Sequence, residues 1–177
     1  MNRGNQTRKR RWTKDISPLI MMMVFPALFV FLSACSSIDC PLNNQVYSTY
    51  KLAGNVSILE DTLSISTTKV SGVDSVLINL DAHIDSFTVP MSYQGKEDVL
   101  YFQIGSPSGY NTIDTVRVQK LDKPHFESVD CNPSFYHTIT GVTHTHHRID
   151  SIVINNANVT YNATKCHFYI YFKDNRY

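Results

Sequence analysis

The side chains best equipped for chemistry are concentrated in one stretch, Cys131 to Asp150. Cys131, His137, His144, His146, His147 and Asp150 all fall there, with Asp130 directly before it, and four of the chain's seven histidines lie within eleven residues. Imidazole nitrogens bind zinc-type cations and exchange protons near neutral pH, so this grouping points first to a metal. On an extended strand, His144 and His146 project from one face, about 7 Å apart at the backbone. His137 is the natural third ligand across a hairpin turning near Thr140-Gly141-Val142. Register decides the matter, because a slip of one residue turns a side chain to the opposite face. The competing reading is that these histidines, with the threonines between them, line a half-polar sheet face.

Other catalytic signatures are thin. Gly105-Ser106-Pro107-Ser108-Gly109 has the outline of a nucleophile elbow, but proline stands where the nucleophile belongs, so it reads as a turn. No phosphate-cradling glycine loop, paired CxxC or HExxH occurs. Glu60-Asp61 and Glu97-Asp98 stand at the starts of expected strands and read as solvated turns rather than general acid/base pairs. The expectation is a domain with no catalytic residues and no cofactor. Zinc binding by His137, His144 and His146 is the alternative.

Strands must position these residues. From Val46 onward the chain is a series of short alternating segments rich in Val, Ile, Thr, Tyr and Phe. The expected strands are 46–52, 56–59, 62–66, 75–80, 86–93, 99–104, 115–121, 135–139, 142–147, 151–155 and 167–172. Spacing near ten residues, with Gly, Pro or polar punctuation, predicts an all-β domain: an antiparallel β-sandwich, or alternatively a partly open barrel. In the last segment Phe168, Ile170 and Phe172 alternate onto the core face, and His167, Tyr169 and Tyr171 onto the other.

The N-terminal part has a different character. Residues 1–14 hold six of the sixteen basic side chains, and 16–32 is almost wholly apolar. Leu32-Ser33-Ala34-Cys35 follows, which reads as a lipobox: the leader is cut before Cys35, and that cysteine becomes lipid-modified. An anchor crossing the membrane needs about 20 apolar residues and has no use for a cysteine at that point. The expected organisation is a signal peptide over 1–34, a lipidated tether over 35–44 and the β domain over 45–177. Removing 34 of the 177 residues leaves 143, with ten basic side chains against fourteen acidic, a charge near −4. That balance argues against nucleic acid, since phosphate binding needs a basic face. Ser36 follows the cysteine where enterobacterial lipoproteins kept at the inner membrane carry aspartate, so by resemblance the outer membrane is expected. The expected partners are the membrane, through the lipid, and an envelope protein or glycan.

With Cys35 given to lipid, Cys40, Cys131 and Cys166 remain. Cys40–Cys131 is the expected disulfide because it ties the start of the domain to its late half; three free thiols are the alternative. A local device also recurs. Asp61-Thr62, Asp74-Ser75, Asp114-Thr115 and Asp150-Ser151 each precede an aliphatic residue at an expected strand start, with Asp85-Ser86 close to the pattern. Turn chemistry accounts for it, since aspartate accepts backbone hydrogen bonds in turns. The triplet also resembles the O-glycosylation acceptor motif of exported Bacteroidota proteins, which makes Thr62, Ser75, Thr115 and Ser151 candidate acceptors.

Several blocks together carry a wider resemblance: Cys40, Val46-Tyr47, Pro124-His125-Phe126, Asp130-Cys131, His137-Thr138-Ile139-Thr140, Val142-Thr143-His144-Thr145 and Ile149-Asp150-Ser151-Ile152. In these the chain resembles small Bacteroidota lipoproteins of unknown function. The resemblance implies an exported, lipid-anchored β domain and supports Cys40–Cys131. It implies no established activity.

Overall fold

The chain divides into two units, Met1–Asp39 and Cys40–Tyr177. The computed structural model describes residues 45–68, 72, 74–126, 128–161 and 165–174, all within the second unit. The expected leader and tether, with Cys35 and Cys40, lie outside the described residues.

Among the described residues there are ten strands and no helix: β1 (Tyr47–Ala53), β2 (Thr62–Thr68), β3 (Asp74–Asp81), β4 (Ser86–Pro90), β5 (Glu97–Gly105), β6 (Asn111–His125), β7 (Ser134–His144), β8 (Ile149–Ile154), β9 (Asn158–Val159) and β10 (Phe168–Phe172). Branched and aromatic side chains dominate these segments because they pack well on a pleated surface. Period-two alternation then sends every second one inward. Ser48, Tyr50 and Leu52 of β1 are buried, as are Leu100, Phe102 and Ile104 of β5 and Val116 and Val118 of β6.

The strands form two sheets, β3-β2-β5-β6-β7-β9 and β4-β1-β10-β8. Neither closes into a barrel, and the two cover one core in the expected β-sandwich. Its centre is a stack of rings. Tyr50 lies parallel to Phe87 at 5.0 Å and to Phe168 at 4.6 Å, and meets the edge of Phe102 in the opposite sheet at 6.0 Å. Phe168, Ile170 and Phe172 point inward as expected. His167 just before them is also buried, and its Nδ1 accepts the Thr49 amide hydrogen at 2.9 Å.

Four expectations need correction. One pair in the smaller sheet, β1 with β10, is parallel, so the sandwich is not wholly antiparallel. The 56–59 segment contributes only a bridge between Leu59 and Ile84, and the two-residue β9 was not foreseen. Above all, 135–139 and 142–147 are not two arms of a hairpin. They belong to one strand, β7, interrupted by a bulge: Gln119 faces Gly141 while Lys120 faces Ile139, which leaves Thr140 without an opposite number. A β-bulge absorbs one extra residue and bends the strand without ending it. The glycine that looked like a turn is part of that irregularity, and its hydrogen side faces Gln119, whose Oε1 would stand 2.8 Å from an added Cβ.

Candidate functional site

The inward positions of β6 run Asp114, Val116, Val118, Lys120 and Asp122, so one strand face carries charge at both ends and apolar side chains between. Each end builds a polar cluster.

At the far end, the fully buried Lys120 donates from Nζ to the Gly95 carbonyl at 3.1 Å and to Asp122 Oδ1 at 2.9 Å, with Asp98 Oδ1 4.0 Å away. Asp122 Oδ1 also lies 2.7 Å from His137 Nδ1, the residue directly opposite it on β7. Asp98 faces the same way from β5, its Oδ2 accepting the Ser92 amide hydrogen at 3.2 Å. Burial pulls His137 below its ordinary 6.5, outweighing the Asp122 hydrogen bond, and the Lys120 charge pushes in the same direction. Burial also raises Asp98 above 3.8, against the pull of Lys120 and Ser92. His137 is therefore neutral at pH 7. A carboxylate only accepts, so Nδ1 carries the ring hydrogen and Nε2 is left as an acceptor.

His137 lines a cleft of about 460 Å³, together with Gln45, Met91, Tyr93, Asn132 and Phe135. Tyr93 stacks on Phe135 with ring centres 5.8 Å apart. It also borders a neighbouring hollow of about 590 Å³ that includes Asp98. The cleft thus combines an aromatic wall and two amides, with the buried ring of His137 at its edge, held on its Nδ1 side by Asp122.

The other end of β6 holds the chain where it passes from one sheet to the other, between β7 and β8. Asp114 has no exposed surface. Its Oδ1 accepts from Thr145 Oγ1 at 2.6 Å and the His147 amide at 2.7 Å, and its Oδ2 from the amides of Arg148 at 2.7 Å and Ile149 at 2.9 Å. Burial alone would raise its pKa, but these four donors outweigh it and the net shift is downward. Arg148 then reaches Asp61 Oδ2 at 3.0 Å, inside the protein, and bonds the Lys173 carbonyl.

The model of a family of unknown function, DUF6452, matches residues 62–172. The chain belongs to this family. A search of curated proteins and a search of solved structures each returned no match. The matched span of the DUF6452 domain runs from β2 to β10 and contains both clusters except Asp61 and Lys173.

The domain brings only part of the expected metal site together. His144 and His146 are adjacent, with ring centres 4.4 Å apart. His137 sits on the same strand face as His144, but the register puts it six rows away, roughly 20 Å along β7. Among the described residues, no group of three or more His, Cys, Asp or Glu side chains is placed to hold a metal. Cys131 is buried at the turn whose amide bonds Ser128, and Cys166 is a free thiol; the other half of the expected Cys40–Cys131 pair lies outside the described residues. Thr62, Ser75, Thr115 and Ser151 are all half-buried within strands, and Thr62 Oγ1 donates to the Gly105 carbonyl at 3.0 Å.

The aspartates before them play unlike parts. Asp74 opens β3 and is exposed, but Asp114 lies inside β6 and Asp61 is buried against Arg148, so turn chemistry explains neither of these two. Glu97-Asp98 is likewise no solvated turn, because Asp98 faces Lys120. Lys120 and Asp122 were missed although the signal was present: the alternation Val116, Val118, Lys120, Asp122 continues the buried face.

Asp114→Asn replaces one acceptor oxygen with a donor facing two donors. With about 1–3 kcal/mol for each orphaned group, the variant should lose about 3 kcal/mol or more, read as a lower urea midpoint at unchanged slope. His137 and His167 are both lowered by burial. The unfolded chain therefore takes up protons on them below about pH 6.5 that the folded protein refuses, and stability should fall as pH drops from 6.5 toward the depressed folded values. Comparing urea midpoints at pH 7.5 and 5.5 for wild type and His137→Asn checks this. The variant should show a smaller loss, and an equal loss would exclude His137 as a source.

Proposed function

We propose that this DUF6452 member is a lipid-anchored protein of the bacterial cell envelope, outer membrane by preference, whose β domain binds a glycan without catalysing its breakdown. The anchor rests on the sequence at Leu32-Ser33-Ala34-Cys35 and on the basic and apolar stretches before it. A disulfide between Cys40 and Cys131 belongs to the same reading, holding the tether's end against the domain; Cys131 is buried, and Cys166 is the cysteine left free.

The binding role is carried by the cleft at His137. Its volume of about 460 Å³ suits a small ligand or one or two units of a longer one. Sugars present apolar ring faces and rows of hydroxyl donors. The Tyr93–Phe135 wall offers a surface for the former, and a neutral His137 with Nε2 as acceptor, beside Gln45 and Asn132, offers partners for the latter. His137 is spent on binding in this reading: Asp122 fixes its tautomer, burial and the Lys120 charge keep it neutral, and among the described residues its hydrogen-bond partner is a carboxylate, not a nucleophile.

Two experiments test the proposal. Expressed in a bacterial host, the full chain should incorporate labelled fatty acid and fractionate with membranes, and Cys35→Ala should abolish both; label retained by the variant would overturn the anchor. For the domain, chemical shifts should be followed during titration with solubilised envelope polysaccharide fragments. Shifts should centre on Tyr93, Phe135 and His137, and Tyr93→Ala should weaken binding roughly 3- to 10-fold, the loss expected for one aromatic contact. Shifts confined elsewhere, or binding only to an envelope protein, would overturn the glycan reading.

A further inference from the structure

The cleft makes no use of His144, His146 or His147. His144 ends β7 and His146 follows two residues later, their rings 4.4 Å apart at 66°. His144 Nδ1 lies 2.8 Å from the Thr145 carbonyl, and His146 Nδ1 lies 3.1 Å from the Asp150 carbonyl. A carbonyl oxygen can only accept. Each Nδ1 must therefore carry the hydrogen, which leaves the lone pair of each neutral ring on Nε2.

That pattern is what metal-binding imidazoles require. A ligand histidine donates its second ring N–H to an oxygen, and this fixes both the tautomer and the ring's direction. The backbone between the two rings is also fixed. Thr145 gives its amide hydrogen to the Thr115 carbonyl at 3.0 Å and its hydroxyl hydrogen to Asp114 at 2.6 Å. Two rings held by an anchored residue lose little freedom on gripping an ion, so the chelate is organised in advance. His146 is exposed and His144 half-buried, which leaves a path from solvent.

We infer that His144 and His146 form a two-imidazole chelate for a divalent transition cation of the zinc–copper class, with water in the remaining positions. Nitrogen donors suit these ions, whereas calcium and magnesium prefer oxygen. His147 is outside the pair: its Nδ1 is 3.2 Å from Asp114 Oδ1, committed to the buried carboxylate. The Lys173 ammonium bonds the His146 carbonyl and so places a cation beside this segment. It moderates the affinity, and Lys173→Met should tighten binding.

Untagged protein lacking residues 1–34 should be titrated with zinc chloride and, separately, copper(II) chloride by calorimetry, with the histidine nitrogens followed by NMR. One equivalent should bind saturably, shifting the Nε2 resonances of His144 and His146 while their Nδ1 hydrogens persist. His144→Ala and His146→Ala should each weaken binding by about tenfold or more, and His147→Ala by less than about twofold. Absence of saturable binding, Nε2 shifts at other histidines, or undiminished binding by the double variant would overturn the site. The NMR signature in the wild-type protein decides the matter even if a variant misfolds. Because the cleft histidine is His137, glycan binding and metal binding can fail independently.

Discussion

The passage of the chain from one sheet to the other depends on the buried carboxylate of Asp114. Between His144 and Ile149 the backbone leaves β7 and enters β8, and three successive amides there would have no strand partner. Buried N–H groups without acceptors cost about as much as a lost hydrogen bond each, so an unsupported crossing at this depth would be expensive. One carboxylate accepts all three and the Thr145 hydroxyl as well. A ring of oriented dipoles stabilises the charge much as an anion is held in a backbone nest. Arg148 extends the link to Asp61 at the head of β2, so the crossing is fastened to two strands of the larger sheet.

The same strand supplies the second polar cluster because a β-strand has only two faces. Once Val116 and Val118 are committed to the core, Lys120 and Asp122 must follow them inward. An isolated ammonium could not be buried there. Lys120 survives because Asp122, Asp98 and the Gly95 carbonyl surround it, and the charge so trapped acts on His137 in turn. The polarity around His137 is thus a consequence of strand geometry as much as of the cleft's own lining residues.

Much of this was legible in the residues. Alternation located nearly every strand and the inward set Phe168, Ile170 and Phe172, because each face of a strand is a local property. What was not legible is non-local. Nothing near Asp61 announces Arg148, 87 residues later. Nothing at Asp114 distinguishes a residue inside a strand from one opening it, since Asp-Thr-Val serves both. The apparent hairpin at Thr140-Gly141 failed for a related reason. A glycine between two alternating segments fits a turn or a bulge equally well, and only the presence of β6 alongside selects the bulge. The histidines were visible as a cluster in sequence, but which of them meet depended on that same choice.

The bulge therefore does more than bend a strand. Strict alternation puts residues of equal parity on one face, so His137 and His144 would point opposite ways on a regular β7. The unpaired Thr140 shifts the count by one, and Ile139, Val142 and both histidines fall on the same side. With that side turned inward, His137 enters the buried cluster at one end, opposite Asp122. His144 reaches the other end, opposite Val116, where the core opens and the ring meets His146. A regular strand could bury one histidine or present the other, but not place both in this way. Two chemically separate histidine surroundings on a single strand are the result of one extra residue, and that residue sits where the sequence most resembles a turn.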